Sequence, residues 1–379
     1  MKYKIPFNKP LLVGNEQKYM EEALENRHLS GDGPFTKRCN DFLEKAVGAS
    51  KAILTTSCTH ALEMCAMLLN IREGDEVIIP SFAFVTTANA FVLRGAKPVF
   101  IDIRPDTLNL DEKMLDDLIT PKTKAIVALH YAGIACEVDK IMEIARAHGV
   151  PVVEDNALGL FGKYKHQSLG SFGELATLSF HETKSFTCGE GGALLINEDS
   201  YSERAEILRE KGTNRTQFFK GQVDRYTWVD IGSSYLPADI LAAFLLAQLE
   251  ASSDILKDRK RIWEYYATHL LDWAEERGIK LPFVPPDCEH PYNMFYLLFP
   301  SSEKRTYLIN FLKERGIQSV FHYLPLHLSR MGQQFGYAKG TFPVAEDVSD
   351  RLVRLPFYYG LSEPEQHQVC EALFEACLE

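Results

Sequence analysis

Lys184 ends the stretch Ser179-Phe180-His181-Glu182-Thr183-Lys184, and the glycine-rich Gly189-Glu190-Gly191-Gly192 follows it at once. A lysine in a turn is ordinarily exposed. Buried between strands, it gives up its charge more readily, and its neutral amine can form a Schiff base with an aldehyde. About thirty residues earlier, Glu154-Asp155 closes the apolar run that begins at Val152. A carboxylate at the C-terminal end of a buried strand lies where α/β proteins bind ligands; Asp equally caps a following helix. The third element is Thr55-Thr56-Ser57-Cys58-Thr59, between an apolar run and a helical pattern. Hydroxyls and free N–H groups at a helix start suit a phosphate, and they serve equally as a plain cap. Taken together, the three supply what pyridoxal 5′-phosphate (PLP) needs. Its phosphate would sit at Ser57, Cys58 and Thr59, its pyridinium nitrogen at Asp155 and its aldehyde at Lys184.

Strands and helices alternate around these residues. Apolar runs at 51–54, 76–79, 98–101, 125–129 and 151–154 read as strands, with further strands at 175–180 and 193–196. Helical patterns at 59–69, 85–93, 112–119 and 138–148 separate them. That alternation predicts βαβ units, a mostly parallel seven-stranded sheet and an α/β fold. Near Asp239 an Ala- and Leu-rich helix leads into a long charged one. After it come a strand (294–299), a helix (304–315), a strand (318–321) and two more helices. We expect a large domain over 1–250 and a smaller C-terminal α+β domain over 251–379.

Composition narrows the function. The chain has 379 residues, 25% of them charged, and a formal charge of −11, which argues against a general nucleic-acid binder. Eight cysteines are scattered without a CxxC pair and read as reduced thiols of a cytoplasmic protein. The N-terminus lacks the apolar core of a signal peptide, and the uncharged run Val77–Leu93 is too short and polar for a comfortable membrane span. No Walker motif or GxGxxG is present. His322 and His327 bracket Tyr-Leu-Pro-Leu with no third ligand in view, so no metal site is expected.

The chain closely resembles the nucleotide-sugar aminotransferases of the DegT/DnrJ/EryC1/StrS family. The resemblance rests on GDGPFT (31–36), TTSCTHALEM (55–64), the segment 80–103, HYAG (130–133), VVEDNAL (152–158), SFHETKSFTCGEGGALLIN (179–197) and FHYLPLH (321–327). It implies fold type I of the PLP enzymes, with Lys184 as the Schiff-base lysine and Asp155 as the acid on the pyridine nitrogen. It further implies that Phe84 stacks on the cofactor ring and that Ser57, Cys58, Thr59 and Ser179 hold the phosphate. Ser234 matches a position where relatives often carry an Asn that reaches the neighbouring subunit's phosphate. Tyr131, Tyr323 and His327 are implied near the sugar, and Asn214 and Arg215 near an anionic substrate group. Leu158 departs from the family, which often carries Gln or His there.

Segments 83–103 and 211–236 look most like a branch acting on C4 of dTDP-4-keto-6-deoxy-D-glucose. The implied reaction takes nitrogen from L-glutamate, passes through pyridoxamine phosphate (PMP) and gives dTDP-4-amino-4,6-dideoxy-D-galactose and 2-oxoglutarate. A C3 ketone, a gluco product or a GDP-linked sugar would be near alternatives. A non-catalytic, PLP-binding regulator stands further off, because Lys184, Asp155 and the GEGG run are intact. The implied assembly is a homodimer with its active site between subunits, crossed by residues 214–234.

Overall fold

A computed structural model describes residues 3–10 and 12–376. Seven strands form the main sheet: β1 (Lys51–Thr55), β2 (Glu76–Pro80), β3 (Lys97–Ile101), β4 (Thr123–Leu129), β5 (Val152–Asp155), β6 (Leu175–Ser179) and β7 (Gly192–Ile196). Their order is β1-β7-β6-β5-β4-β2-β3. The strands from β6 to β3 pair in parallel, whereas β7 runs antiparallel to both β1 and β6. These are the seven apolar runs of the sequence. They are nearly continuous because helices cover both faces of the sheet. Among the covering helices are α1 (Glu16–Glu25), α2 (Pro34–Val47), α3 (Cys58–Leu68), α4 (Val85–Val92) and α5 (Val138–His148).

The reversed direction of β7 brings the glycine-rich run to the working edge. The parallel strands end there at Thr55, Pro80, Leu129, Asp155 and Ser179. β7 starts at the same edge, because Gly192 pairs with both Thr55 and Ser179.

Alternation along β5 sends its two carboxylates to opposite sides of the sheet. Glu154 accepts hydrogen bonds from the backbone N–H of Gly170 (2.8 Å), Phe172 (2.7 Å) and Gly173 (2.8 Å), and its Oε2 lies 2.9 Å from His130 Nε2. It therefore organises the turn that leads into β6. Glu154→Gln should cost about 3 kcal/mol of stability, because an amide N–H would face buried donors. Urea unfolding of the variant, with PLP titration of the folded fraction, checks this: the midpoint should fall while PLP affinity stays within about twofold.

The C-terminal part begins with α6 (Asp239–Glu250) and α7 (Ser252–Glu276). Strands β8 (Tyr296–Leu298) and β9 (Leu352–Arg354) pair antiparallel, flanked by α8 (Ser302–Glu314), α9 (Pro343–Arg351) and α10 (Glu363–Glu375). Tyr266, Leu270, Phe295, Phe299, Leu308, Val353 and Val369 share a core with Ile5. The chain start is laced to this part: Lys4 N–H donates to Gly316 O (2.8 Å), Gln318 N–H to Ile5 O (2.9 Å) and Phe357 N–H to Phe7 O (3.1 Å). We propose a division at residue 250, with residues 3–7 belonging to the C-terminal side.

Three local expectations need correction. Residues 318–321 form no strand: Val320 makes a single bridge to Arg354, and the chain beyond turns toward the site. The expected helix at 112–119 is a 3-10 turn (Glu112–Met114) running into one α-turn (Leu115–Leu118). Helices α1 and α2 were not anticipated. Asp239 caps α2 from a distance, accepting from Thr36 N–H (2.8 Å) and Thr36 Oγ1 (2.7 Å). A Cβ at Gly33 would lie 2.2 Å from that carboxylate, so GDGPFT is shaped by this cap. Among the described residues, no helix is long and apolar enough to cross a membrane.

Candidate active site

The strand ends open onto a cavity of about 530 Å³. Ser57, Cys58, Thr59, Phe84, Asp155, Leu158, Ser179, Lys184, Gly191 and Tyr323 all line it. Residues as far apart in sequence as Ser57 and Tyr323 thus meet at one edge.

Ser57 caps α3: its backbone is extended, and its Oγ accepts from His60 N–H at 3.1 Å. Cys58 donates to Thr177 Oγ1 across 3.5 Å, and burial, aided by the nearby Asp155, pushes its thiol up to about 12. It is a neutral lining group, and the free N–H groups of the turn remain the anion-binding feature. Gly192 presses on this turn, and a Cβ there would lie 2.3 Å from Cys58 N and from Ser57 C. Gly192→Ala must displace the turn, at a strain of about 1–3 kcal/mol. Absorbance titration of the cofactor-free variant should then show PLP retention weakened by about ten- to a hundredfold.

Asp155 is buried at the end of β5. Thr87 Oγ1 donates to its Oδ2 at 2.7 Å, and Ala157 N–H donates to Oδ1 at 3.3 Å. These bonds fix the carboxylate against the cavity. Lys184 follows a turn closed by its N–H to His181 O (2.9 Å). Burial holds its amine below the usual lysine range; the nearby Cys58 and Asp155 oppose that shift and Arg354 adds to it. Phe84, at the N-cap of α4, is 53% exposed and tilts toward Tyr323 with ring centres 6.2 Å apart. Leu158 presents an apolar wall to the cavity.

Other expected residues lie elsewhere. Tyr131 is fully buried behind the cavity wall, where its phenol oxygen lies 2.8 Å from His322 Nδ1 and its ring 6.2 Å from that of Tyr323. His327 is not on the cavity wall. Its Nδ1 lies 2.6 Å from Ser81 Oγ and its Nε2 2.9 Å from Glu346 Oε1, so it bolts the end of β2 to α9. Asn214 accepts from Thr227 N–H (2.7 Å), and Arg215 pairs with Glu210 (3.2 Å) over the Phe219 ring. Ser234 is exposed, bridged to Glu210. None of these three lines the cavity of its own chain.

The sequence reading missed four contributors. Thr87 orients Asp155, and Asn293, His322 and Arg354 line the far wall. His322 stacks on Tyr323 at 3.6 Å, and its imidazole is held well below the usual range by burial, then by Arg354 and Lys184. Among the described residues, no group of three His, Cys, Asp or Glu could hold a metal.

The residues fit PLP. A capped helix start, kept open by Gly192, suits the phosphate; an oriented carboxylate suits the ring nitrogen; and a lysine with its charge disfavoured suits the aldehyde. Residues 10–374 match the DegT/DnrJ/EryC1/StrS aminotransferase family. The chain belongs to this family. It is 31% identical to a GDP-perosamine synthase of Escherichia coli O157:H7 over 379 residues, covering 99% of both chains. It is 32% identical to the spore coat polysaccharide biosynthesis protein SpsC of Bacillus subtilis, covering 97% of this chain and 96% of SpsC. The fold is similar to that of Spr1654 from Streptococcus pneumoniae, with a TM-score of 0.90 at 27% identity over 98% of this chain and 96% of that one. Spr1654 has also been solved in PLP and PMP forms. The enzyme is thus a PLP-dependent aminotransferase acting on sugar nucleotides, with an α/β fold of the type I class.

Proposed function

We propose that the enzyme moves an amino group from L-glutamate to C4 of dTDP-4-keto-6-deoxy-D-glucose, giving dTDP-4-amino-4,6-dideoxy-D-galactose and 2-oxoglutarate. The observation that carries the chemistry is the meeting of Lys184, Asp155 and the capped α3 turn in one cavity. The choice of sugar rests on the resemblance of segments 83–103 and 211–236 to the branch with that substrate. Bound PLP supplies an electron sink and carries nitrogen between the two substrates. Ser57, Thr59 and Ser179 bind its phosphate, and Asp155, oriented by Thr87, faces its ring nitrogen. Lys184 Nζ takes a proton from the donor carbon and later delivers one to sugar C4. Leu129, Leu158 and Leu326 line the same space and keep water from the reacting atoms.

Likeness to a GDP-perosamine synthase favours one second reading, a GDP-linked 4-keto sugar. PMP-loaded enzyme should be offered dTDP-4-keto-6-deoxy-D-glucose and its GDP-mannose-derived counterpart in parallel, with NMR of the products. Faster consumption of the dTDP sugar, with an axial C4 amine, supports the proposal; preference for the GDP sugar overturns it.

We further propose a cytoplasmic homodimer whose subunits exchange residues 214–234. The support is a solvent-facing aromatic strip on that segment, with Phe219, Tyr226 and Trp228 exposed, Trp228 by 78%. Single protein surfaces seldom leave such a patch uncovered. Light scattering should give twice the chain mass, and Trp228→Asp should shift it toward the monomer. A fully active monomer would reject this assembly.

A further inference from the structure

Arg354 closes β9 at the cavity wall, its backbone tied to Val320 in both directions (2.7 and 3.2 Å). Its guanidinium lies over the Phe7 ring, 4.7 Å from the centroid. Phe7 supports the cation's face and leaves its edge free. Nε is buried with no hydrogen-bond partner among the described residues. The polar groups acting most on its charge are the phenols of Tyr131 and Tyr323, not carboxylates. Other sheltered arginines here have a counter-charge or carbonyl partners. Arg104 has Asp106 and Glu112, and Arg259 has the carbonyls of Tyr292 and Asn293. Arg209 has Asp32 on Nη2, although its Nε and Nη1 have no partner among the described residues. A desolvated guanidinium left without a counter-charge is costly, and this one faces the ligand space. Its anion comes from a ligand.

Four anionic groups enter this cavity during the reaction: the cofactor phosphate, the nucleotide diphosphate and the two carboxylates of L-glutamate. Of these last, the γ-carboxylate lies three bonds from the reacting carbon. Chemistry separates the four. The cofactor phosphate has its own seat at the α3 turn. The diphosphate of a nucleotide sugar is separated from C4 by the sugar ring. The α-carboxylate of an amino-acid donor sits one bond from the carbon whose nitrogen is transferred, so it must lie beside Lys184. Arg354 and Lys184 line the same cavity, with Asn293 between the two parts of the chain adding an amide. We propose that Arg354 binds the α-carboxylate of the amino-acid donor. This deepens the function proposed above and rests on its amino-acid half. Arg354 is then idle in the other half, which lets one cavity serve two unlike substrates in turn.

Half-reactions test it. With PLP-loaded Arg354→Gln, the donor concentration needed for half-maximal bleaching of the yellow band should rise about a hundredfold, for L-glutamate and for L-alanine alike. Arg354→Lys should recover part of the loss. Calorimetric affinity of the PLP-loaded variant for 2-oxoglutarate, which cannot donate nitrogen, should fall by a similar factor. PMP-loaded Arg354→Gln should still aminate the keto sugar within about threefold of wild type. Equal loss in both halves, or no loss in the first, overturns the proposal. Loss with L-glutamate alone overturns it too, since that marks the γ-carboxylate. Wild-type enzyme that uses L-alanine but not L-glutamate would reject glutamate as donor; loss of L-alanine in the variant would still uphold Arg354.

Discussion

Lys184→Ala should reduce turnover at least about ten-thousandfold, since one side chain both anchors the cofactor and moves the proton. The variant should fold normally, because the amine is engaged with the cavity and not with the core. PLP should still bind, through the α3 turn and Asp155, but its absorbance should match free PLP and resist borohydride trapping. Circular dichroism and cofactor titration separate this from unfolding. Residual turnover within a hundredfold of wild type would remove Lys184 from the chemistry.

Asp155→Asn should follow, with kcat lower by about a hundred- to a thousandfold in both half-reactions. Thr87 Oγ1 can still donate to the amide oxygen, so the side chain keeps its place. What is lost is the negative charge that favours a proton on the ring nitrogen. Affinity for PLP should change far less than kcat, and the melting temperature should stay within a few degrees. A variant with kcat near wild type would show that Asp155 is only a cap for the turn after β5.

The sheet was legible because each strand is a short apolar run between helical patterns. The seven runs correspond to the seven strands, with β7 alone running against the other six. The positions of Ser57, Asp155, Ser179 and Lys184 at the sheet edge were legible for the same reason: each ends a strand or lies within five residues of a strand end, so its place is a local matter. Arg354 was not legible. Nothing in Leu352-Val353-Arg354 distinguishes a surface arginine from one turned inward by pairing with Val320 and resting on Phe7. His327 misled for a related reason. It is only four residues from Tyr323, but a 3-10 turn at Leu326–Leu328 swings it into the interior, between Ser81 and Glu346. Thr87 lies in the first turn of α4, and only the folded structure reveals its bond to Asp155.

The lacing of residues 4–7 onto the C-terminal side has a mechanical outcome. The chain passes between the two sides twice, once after Phe7 and again near residue 250. A body tethered at one point can swivel freely, whereas one tethered at two can turn only about the line joining them. Here the His327 bolt between Ser81 and Glu346, and the N–H groups of Val344 and Ala345 on Asp102, add to the two tethers, so the wall that carries Arg354 is held in place relative to Lys184.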